Sequence, residues 1–145
     1  MTLDRMFDPP DCAHLHIMSR LSGAPALTDL KVADYPPEPG EEADAIFFYR
    51  YSGAQVGERI VRVGVEAPTA ETWAVAVLVP EGGDDALAGA RLAAAREVLV
   101  GSGGRNDSGC VLACSREKSD RALDPDESGR RWTRRFDLYR LVVGP

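Results

Sequence analysis

The feature that most constrains this chain lies near its middle. Thr72-Trp73-Ala74-Val75-Ala76-Val77-Leu78-Val79 reads as a strand, Pro80-Glu81-Gly82-Gly83-Asp84-Asp85 as a turn, and Ala86 to Val100 as a helix ending at Gly101. Both faces of the strand are apolar: Trp73, Val75, Val77 and Val79 against Ala74, Ala76 and Leu78. Such a strand is buried on both sides or sits in an interface. The helix carries Ala88, Leu92, Ala95 and Leu99 as one stripe, broadened by Leu87, Ala94 and Val98, and Asp84 or Asp85 caps its start. A strand, tight turn and amphipathic helix of this kind form the central packing unit of an α+β core.

The rest of the chain builds outward from that unit. Asp8-Pro9-Pro10-Asp11 is a helix-start signal, and the helix that follows is predicted to run to Ser22 and stop at Gly23, with Ala13, Ile17 and Leu21 on one face. Leu30 to Asp34 reads as a short strand, Ala45 to Tyr51 as an aromatic strand, and Arg59 to Glu66 as a strand alternating on Val61, Val63 and Val65. Pro36 to Asp44 interleaves prolines with acids, a composition that predicts an exposed, mobile loop. Gly109 to Ser115 and Trp132 to Val143 are further strands, the last with Trp132, Phe136, Leu138 and Val142 on one side. Between them, residues 116–131 are charged and turn-rich, either a long hairpin arm or a disordered loop. The expected fold is a single α+β domain over 1–145, a mostly antiparallel sheet packed by an N-terminal helix and one long central helix, in the order α-β-β-β-β-α-β-β.

Bulk properties narrow the function. A chain of 145 residues suits one domain and buries enough surface to fold without a disulfide or metal. The net charge of −6 disfavours nucleic-acid binding through a large basic face, although a local basic patch is compatible with it. Of the 17 basic residues 15 are Arg, most simply a mark of a GC-rich genome, and Arg also suits interfaces through its planar fork. Three cysteines form no paired framework, Met1 to Phe7 has no long apolar run, and no stretch approaches a membrane span. The expectation is a cytoplasmically made protein with reduced thiols.

The candidate chemistry is sparse. Cys12 and His16 share a helix face while His14 points away, which leaves two ligands where a closed zinc site wants four. Cys110 and Cys114 would face the same way along a strand, roughly 13 Å apart, too far to share a metal. Asp124-Pro125-Asp126-Glu127-Ser128-Gly129 opens like a calcium loop, but Arg135 stands where the closing acid belongs. The segment Gly101 to Gly109 follows a helix and leads into a strand, the wrong polarity for a phosphate loop, so it reads as a flexible connector. Ser108, Ser115, His14 and His16 form no hydrolase arrangement, and Asp34, Asp44 and Glu66 have no spacing that makes them converge. No catalytic, metal or cofactor-binding residue is assigned, and no cofactor is expected. The basic tract from Arg116 to Arg140 is interleaved with acids. It is either a solvated hairpin or a docking arm, with Arg130, Arg131, Arg134 and Arg135 as the candidate interface to a neighbouring subunit or other partner.

The layout resembles the tail-terminator and minor-tail proteins of long-tailed and Mu-like bacteriophages. The resemblance is carried by the N-terminal helix ending in Arg20-Leu21, the aromatic strand Phe47-Phe48-Tyr49-Arg50-Tyr51-Ser52-Gly53, the strand Glu71-Thr72-Trp73-Ala74-Val75-Ala76-Val77, the Gly-rich turn, the helix Ala90 to Leu99 and a final strand. Residues 115–131 are longer and more charged than that family leads one to expect. The resemblance implies a non-enzymatic virion subunit in a ring, a homohexamer, that caps the head-proximal end of the tail tube. Its partners would be copies of itself, a tail-tube protein and a head-completion protein, with DNA passing through the channel unread and no membrane involved. The alternatives are a head-completion or tail-tube subunit, or a small cytoplasmic ligand-binding domain or enzyme of α+β fold.

Overall fold

The computed structural model describes residues 11–37, 44–51, 69–80, 82–125 and 131–144. Helix α1 (Cys12–Ser22) is followed by a 3-10 turn (Pro25–Leu27), strands β1 (Lys31–Ala33), β2 (Ala45–Arg50) and β3 (Thr69–Pro80), helix α2 (Asp85–Leu99), and strands β4 (Gly104–Asn106), β5 (Gly109–Pro125) and β6 (Arg131–Gly144). The predicted strand Arg59 to Glu66 and most of the predicted loop Pro36 to Asp44 lie outside the described residues. Among the described residues the fold is the expected single-domain α+β arrangement, two helices on a curled, mostly antiparallel sheet.

Each helix starts where its sequence says it should. The Asp11 carboxylate accepts from the His14 N–H at 2.8 Å, and that of Asp84 accepts from the Leu87 N–H at 3.0 Å; each side chain satisfies a donor the helix cannot. The sheet order is β1-β2-β3-β6-β5-β4, with β1 and β2 parallel and the other pairs antiparallel. β3 and β6 pair along their length, from Thr69 opposite Val143 to Pro80 opposite Trp132.

Side-chain alternation splits the sheet into two apolar clusters. On one face Ile46, Phe48, Trp73, Val75, Val77, Tyr139 and Leu141 meet Ala13, Ile17 and Leu21 of α1 and Ala88, Leu92, Ala95 and Leu99 of α2. On the other, Ala33, Phe47, Ala74, Ala76, Phe136 and Leu138 are buried together. From Trp73 to Val79 β3 contributes to both clusters, which is what that apolar run requires.

Three elements differ from the sequence reading. β3 begins at Thr69 rather than Thr72, because polar Glu71 is tied down: it accepts from the Trp73 indole at 3.1 Å and pairs with Arg50 at 2.9 Å. β5 runs to Pro125 instead of stopping at Ser115. Its second half has no apolar alternation, and its backbone pairs with β6 instead. The segment Gly101 to Gly109 is not merely a connector, since it holds the edge strand β4 and a tight turn in which Asn106 Oδ1 accepts from the Ser108 N–H at 2.9 Å.

Candidate interface sites

The first ten residues of the charged tract, 116–125, continue β5 and pair with β6. Ser115 to Arg121 are all exposed, while the facing residues of β6 reach back into the two apolar clusters. Register shifts between Val111 and Ala113 and between Arg116 and Lys118 mark bulges, which re-aim side chains and bend a strand. The first bulge corrects the expected geometry of the thiols. Cys114 stands opposite Leu141 on the helix-covered face, whereas Cys110 stands opposite Gly144, so the two cysteines point to opposite faces.

The four arginines proposed as an interface do not form one cluster. Arg130 lies outside the described residues; Arg131 opens β6 opposite Pro125. Arg134 and Arg135 project to opposite sides of β6. The Arg134 guanidinium lies over the rings of Tyr49 and Phe136, 5.6 Å from each centroid. Arg135 crosses the first turn of α2, donating to the Asp85 carbonyl at 2.7 Å and standing 3.3 Å from its carboxylate. Its guanidinium passes over Gly89, where a Cβ would stand in ordinary contact with Nη1 at 3.4 Å. Arg121 reaches the other oxygen of Asp85 at 3.4 Å. The arm is thus clamped to the start of α2 by two arginines on one acid, and that acid also complements the helix dipole.

A second tie lies deeper, between residues that no motif or spacing links. Asp137 is fully buried, and Arg96 of α2 grips it through Nε at 2.8 Å and Nη2 at 3.2 Å. Asp137 raises the Arg96 pKa, chiefly through that hydrogen bond. Ser119 donates its hydroxyl to Asp137 and accepts from Arg116 at 3.0 Å, so the arm, β6 and α2 share one polar chain. Beside it the Tyr139 hydroxyl is buried without a hydrogen-bond partner among the described residues, and burial followed by the Asp137 charge pushes its pKa up.

At the opposite end of the sheet, α1 and the β4 segment enclose an open cleft of about 380 Å³, lined by Leu15, His16, Ser19, Arg20, Gly23, Val98 and residues 103–106. His16 is buried, with Nε2 2.8 Å from Ser102 Oγ, and that hydroxyl donates onward to the Leu99 carbonyl at 2.6 Å. The serine proton is therefore committed to the backbone, so His16 is not placed as a base for it. Burial, then the nearby Arg20 charge, lowers the His16 pKa. Burial raises the Cys12 thiol and pushes that of Cys114 up to about 11. Neither has the thiolate character that reactive cysteines need.

The remaining metal and carboxylate candidates are dispersed. Cys12 receives the Asn106 amide at 3.6 Å, and His14 pairs with Asp34 at 2.8 Å. Asp44 stands 3.7 Å from Arg91, and Glu66 lies outside the described residues. Among the described residues no group of three or more His, Cys, Asp or Glu could hold a metal ion, and no helix is long and apolar enough to cross a membrane.

The class these features define is a small α+β module with a clamped β-hairpin arm and no assembled catalytic group among its described residues. No family model and no curated protein matches the chain. Solved structures do. One match is a chain of a particle described as the virion of a native gene transfer agent, with a TM-score of 0.65 and 21% identity over 89% of this chain and 92% of that one. At that identity the likeness is one of fold.

Proposed function

We propose that this chain is a structural virion protein, a tail terminator whose copies form a ring at the head-proximal end of a phage-type tail tube. The observation that carries the reading is the end-to-end likeness to a chain of a gene transfer agent virion. It agrees with the order of elements that resembles phage tail terminators. In this reading the molecule works through its surfaces. The ring joins copies of the chain to each other, to the tail-tube protein below and to a head-completion protein above, while DNA passes through the channel unread. A heterologous contact repeated around an axis closes into a ring when the rotation fits.

The β5–β6 arm is the proposed contact element, with Arg130 and Arg131 as its docking charges and Arg134 and Arg135 as the residues that hold its root. A chain carrying −6 offers acids elsewhere on its own copies for those arginines to meet. The test is native particle mass, alone and with tail-tube protein, together with electron microscopy of capped tubes. Wild type should assemble, less so as salt rises. Arg130→Glu with Arg131→Glu should leave the fold intact and weaken assembly. A wild type that stays monomeric even with tubes present removes the terminator reading. A double variant that still caps tubes removes the arm.

A further inference from the structure

We propose that Leu123, near the end of the β5–β6 arm, docks into an apolar cleft on a second copy of this chain. The cleft lies between the end of β3 and the first turns of α2. Val77, Leu78, Val79 and Pro80 line it from the strand, Leu87 and Ala88 from the helix. It exists because β3 outruns its neighbour: β2 pairs with β3 only as far as Phe47 opposite Ala76, and β3 continues to Pro80. Leu87 stands over this flank and is 46% exposed. The cleft has a volume of about 150 Å³. An apolar cavity of about that size accepts benzene, and a leucine side chain is smaller.

Leu123 is the knob. It is 75% exposed, the most exposed large apolar side chain among the described residues. Alternation places it on the same face of β5 as Ser119 and Arg121. Those two reach Asp137 and Asp85, and Asp85 is the first residue of α2. Leu123 lies two residues further along, past the end of the helix that would cover it. It does not fill the cleft of its own copy. It stands opposite Thr133, which stands opposite Val79, so two strand spacings, roughly 10 Å, separate it from that wall of the cleft. The charges agree with the fit. Arg131 pairs with Pro125 at the arm's end, two residues beyond Leu123, and Asp84 lines the cleft. Arg91, which also lines it, stands 3.7 Å from Asp44. A knob beside an arginine thus meets a hole beside an acid. The contact is heterologous, and each copy carries one knob and one hole, so it repeats around an axis. It deepens the ring reading and rests on it only for the closure of that repeat.

The full-length protein tests the contact. Its mass is read by sedimentation velocity from dilute to concentrated solution, for wild type, L123D and L87D. Both substitutions fall at exposed sites, so circular dichroism should match wild type. Should either spectrum differ, L123S and L87S carry the same test. Wild type should self-associate as concentration rises. Each aspartate variant should weaken that association by about tenfold or more, because the contact would bury an unpaired charge. L123M keeps an apolar knob and should associate like wild type. An equal mixture of L123D and L87D should give dimers and nothing larger. One copy then supplies an intact knob and the other an intact hole, and the two remaining parts are disabled. Wild type that stays monomeric throughout, aspartate variants that associate like wild type, or a mixture that stays monomeric or regains full assembly each overturn the contact. Wild type that is monomeric alone and joins only tail-tube protein gives the cleft a different occupant and overturns it as well. Tube capping is scored on the same samples. L123D that still caps tubes removes this contact and leaves the terminator reading, whereas self-association that depends on Leu123 without any capping does the reverse.

Discussion

Arg96 of α2 and Asp137 of β6 form a two-pronged ion pair, 2.8 and 3.2 Å long, and the exposure of its halves is unequal: the aspartate is fully buried and the arginine side chain is 35% exposed. Removing one partner of a buried pair leaves a desolvated charge behind. Arg96→Ala strands the buried carboxylate with Ser119 alone and should cost about 3–5 kcal/mol. Asp137→Asn leaves an arginine that reaches water and should cost less, about 1–3 kcal/mol. Chemical denaturation of both variants checks the order. Equal costs, or a larger cost for Asp137→Asn, would mean the pair is not solvated as described.

Trp73 and Leu92 meet in the larger apolar cluster, 5% and 2% exposed. Trp73→Ala should lose about 3–5 kcal/mol and Leu92→Ala about 2–5 kcal/mol. Truncating exposed Leu87 on the same helix should cost under about 0.5 kcal/mol, as exposed sites usually do. A Leu87→Ala cost matching Leu92→Ala would displace the helix face.

His16 sets a pH dependence whose sign follows from its environment. Burial and Arg20 lower its folded pKa below the ordinary 6.5, so the unfolded chain binds the proton more readily. The stability that neutral His16 allows is present above pH 6.5 and is lost as pH falls through the lower folded value. Unfolding free energy should therefore decline on acidification from pH 6.5 down to that lower value, and His16→Gln should flatten that part of the curve. Denaturation midpoints across the range, compared between the two proteins, measure it. Parallel curves would remove His16 as the cause.

Gly109 and Gly82 both have positive φ, +144° and +79°, but only one of them is crowded. A Cβ on Gly109 would stand 2.7 Å from the Gly144 carbonyl, backbone against backbone where β5 meets the end of β6, whereas at Gly82 it would meet open space. Gly82→Ala should cost only its left-handed backbone strain, about 1–2 kcal/mol. Gly109→Ala should cost more, because the strand ends must separate as well. Thermal melts of the pair decide it, and equal shifts in Tm would show that the contact relaxes freely.

The packing unit of this protein is legible in its residue pattern alone. A strand apolar on both faces, a capped turn and a helix striped on Ala88, Leu92, Ala95 and Leu99 leave few ways to bury those residues, and the structure buries them as expected. Local rules settled what depends on neighbours in the chain: the Asp11 and Asp84 caps, the stop at Gly23, the aromatic strand. Tertiary structure decided what depends on distant partners. The second half of β5 is a strand because β6 supplies its hydrogen bonds, not because residues 116–125 prefer one. Arg134 and Arg135 look like one basic cluster in sequence, yet strand alternation sends them to opposite faces, one onto aromatic rings and the other to Asp85. The Arg96–Asp137 pair spans 41 residues and the His16–Ser102 contact spans 86, separations at which periodicity and spacing carry no information. The cleft between α1 and β4 is likewise a product of the fold, since Arg20 and Gly103, which line it and share a hydrogen bond, stand 83 residues apart.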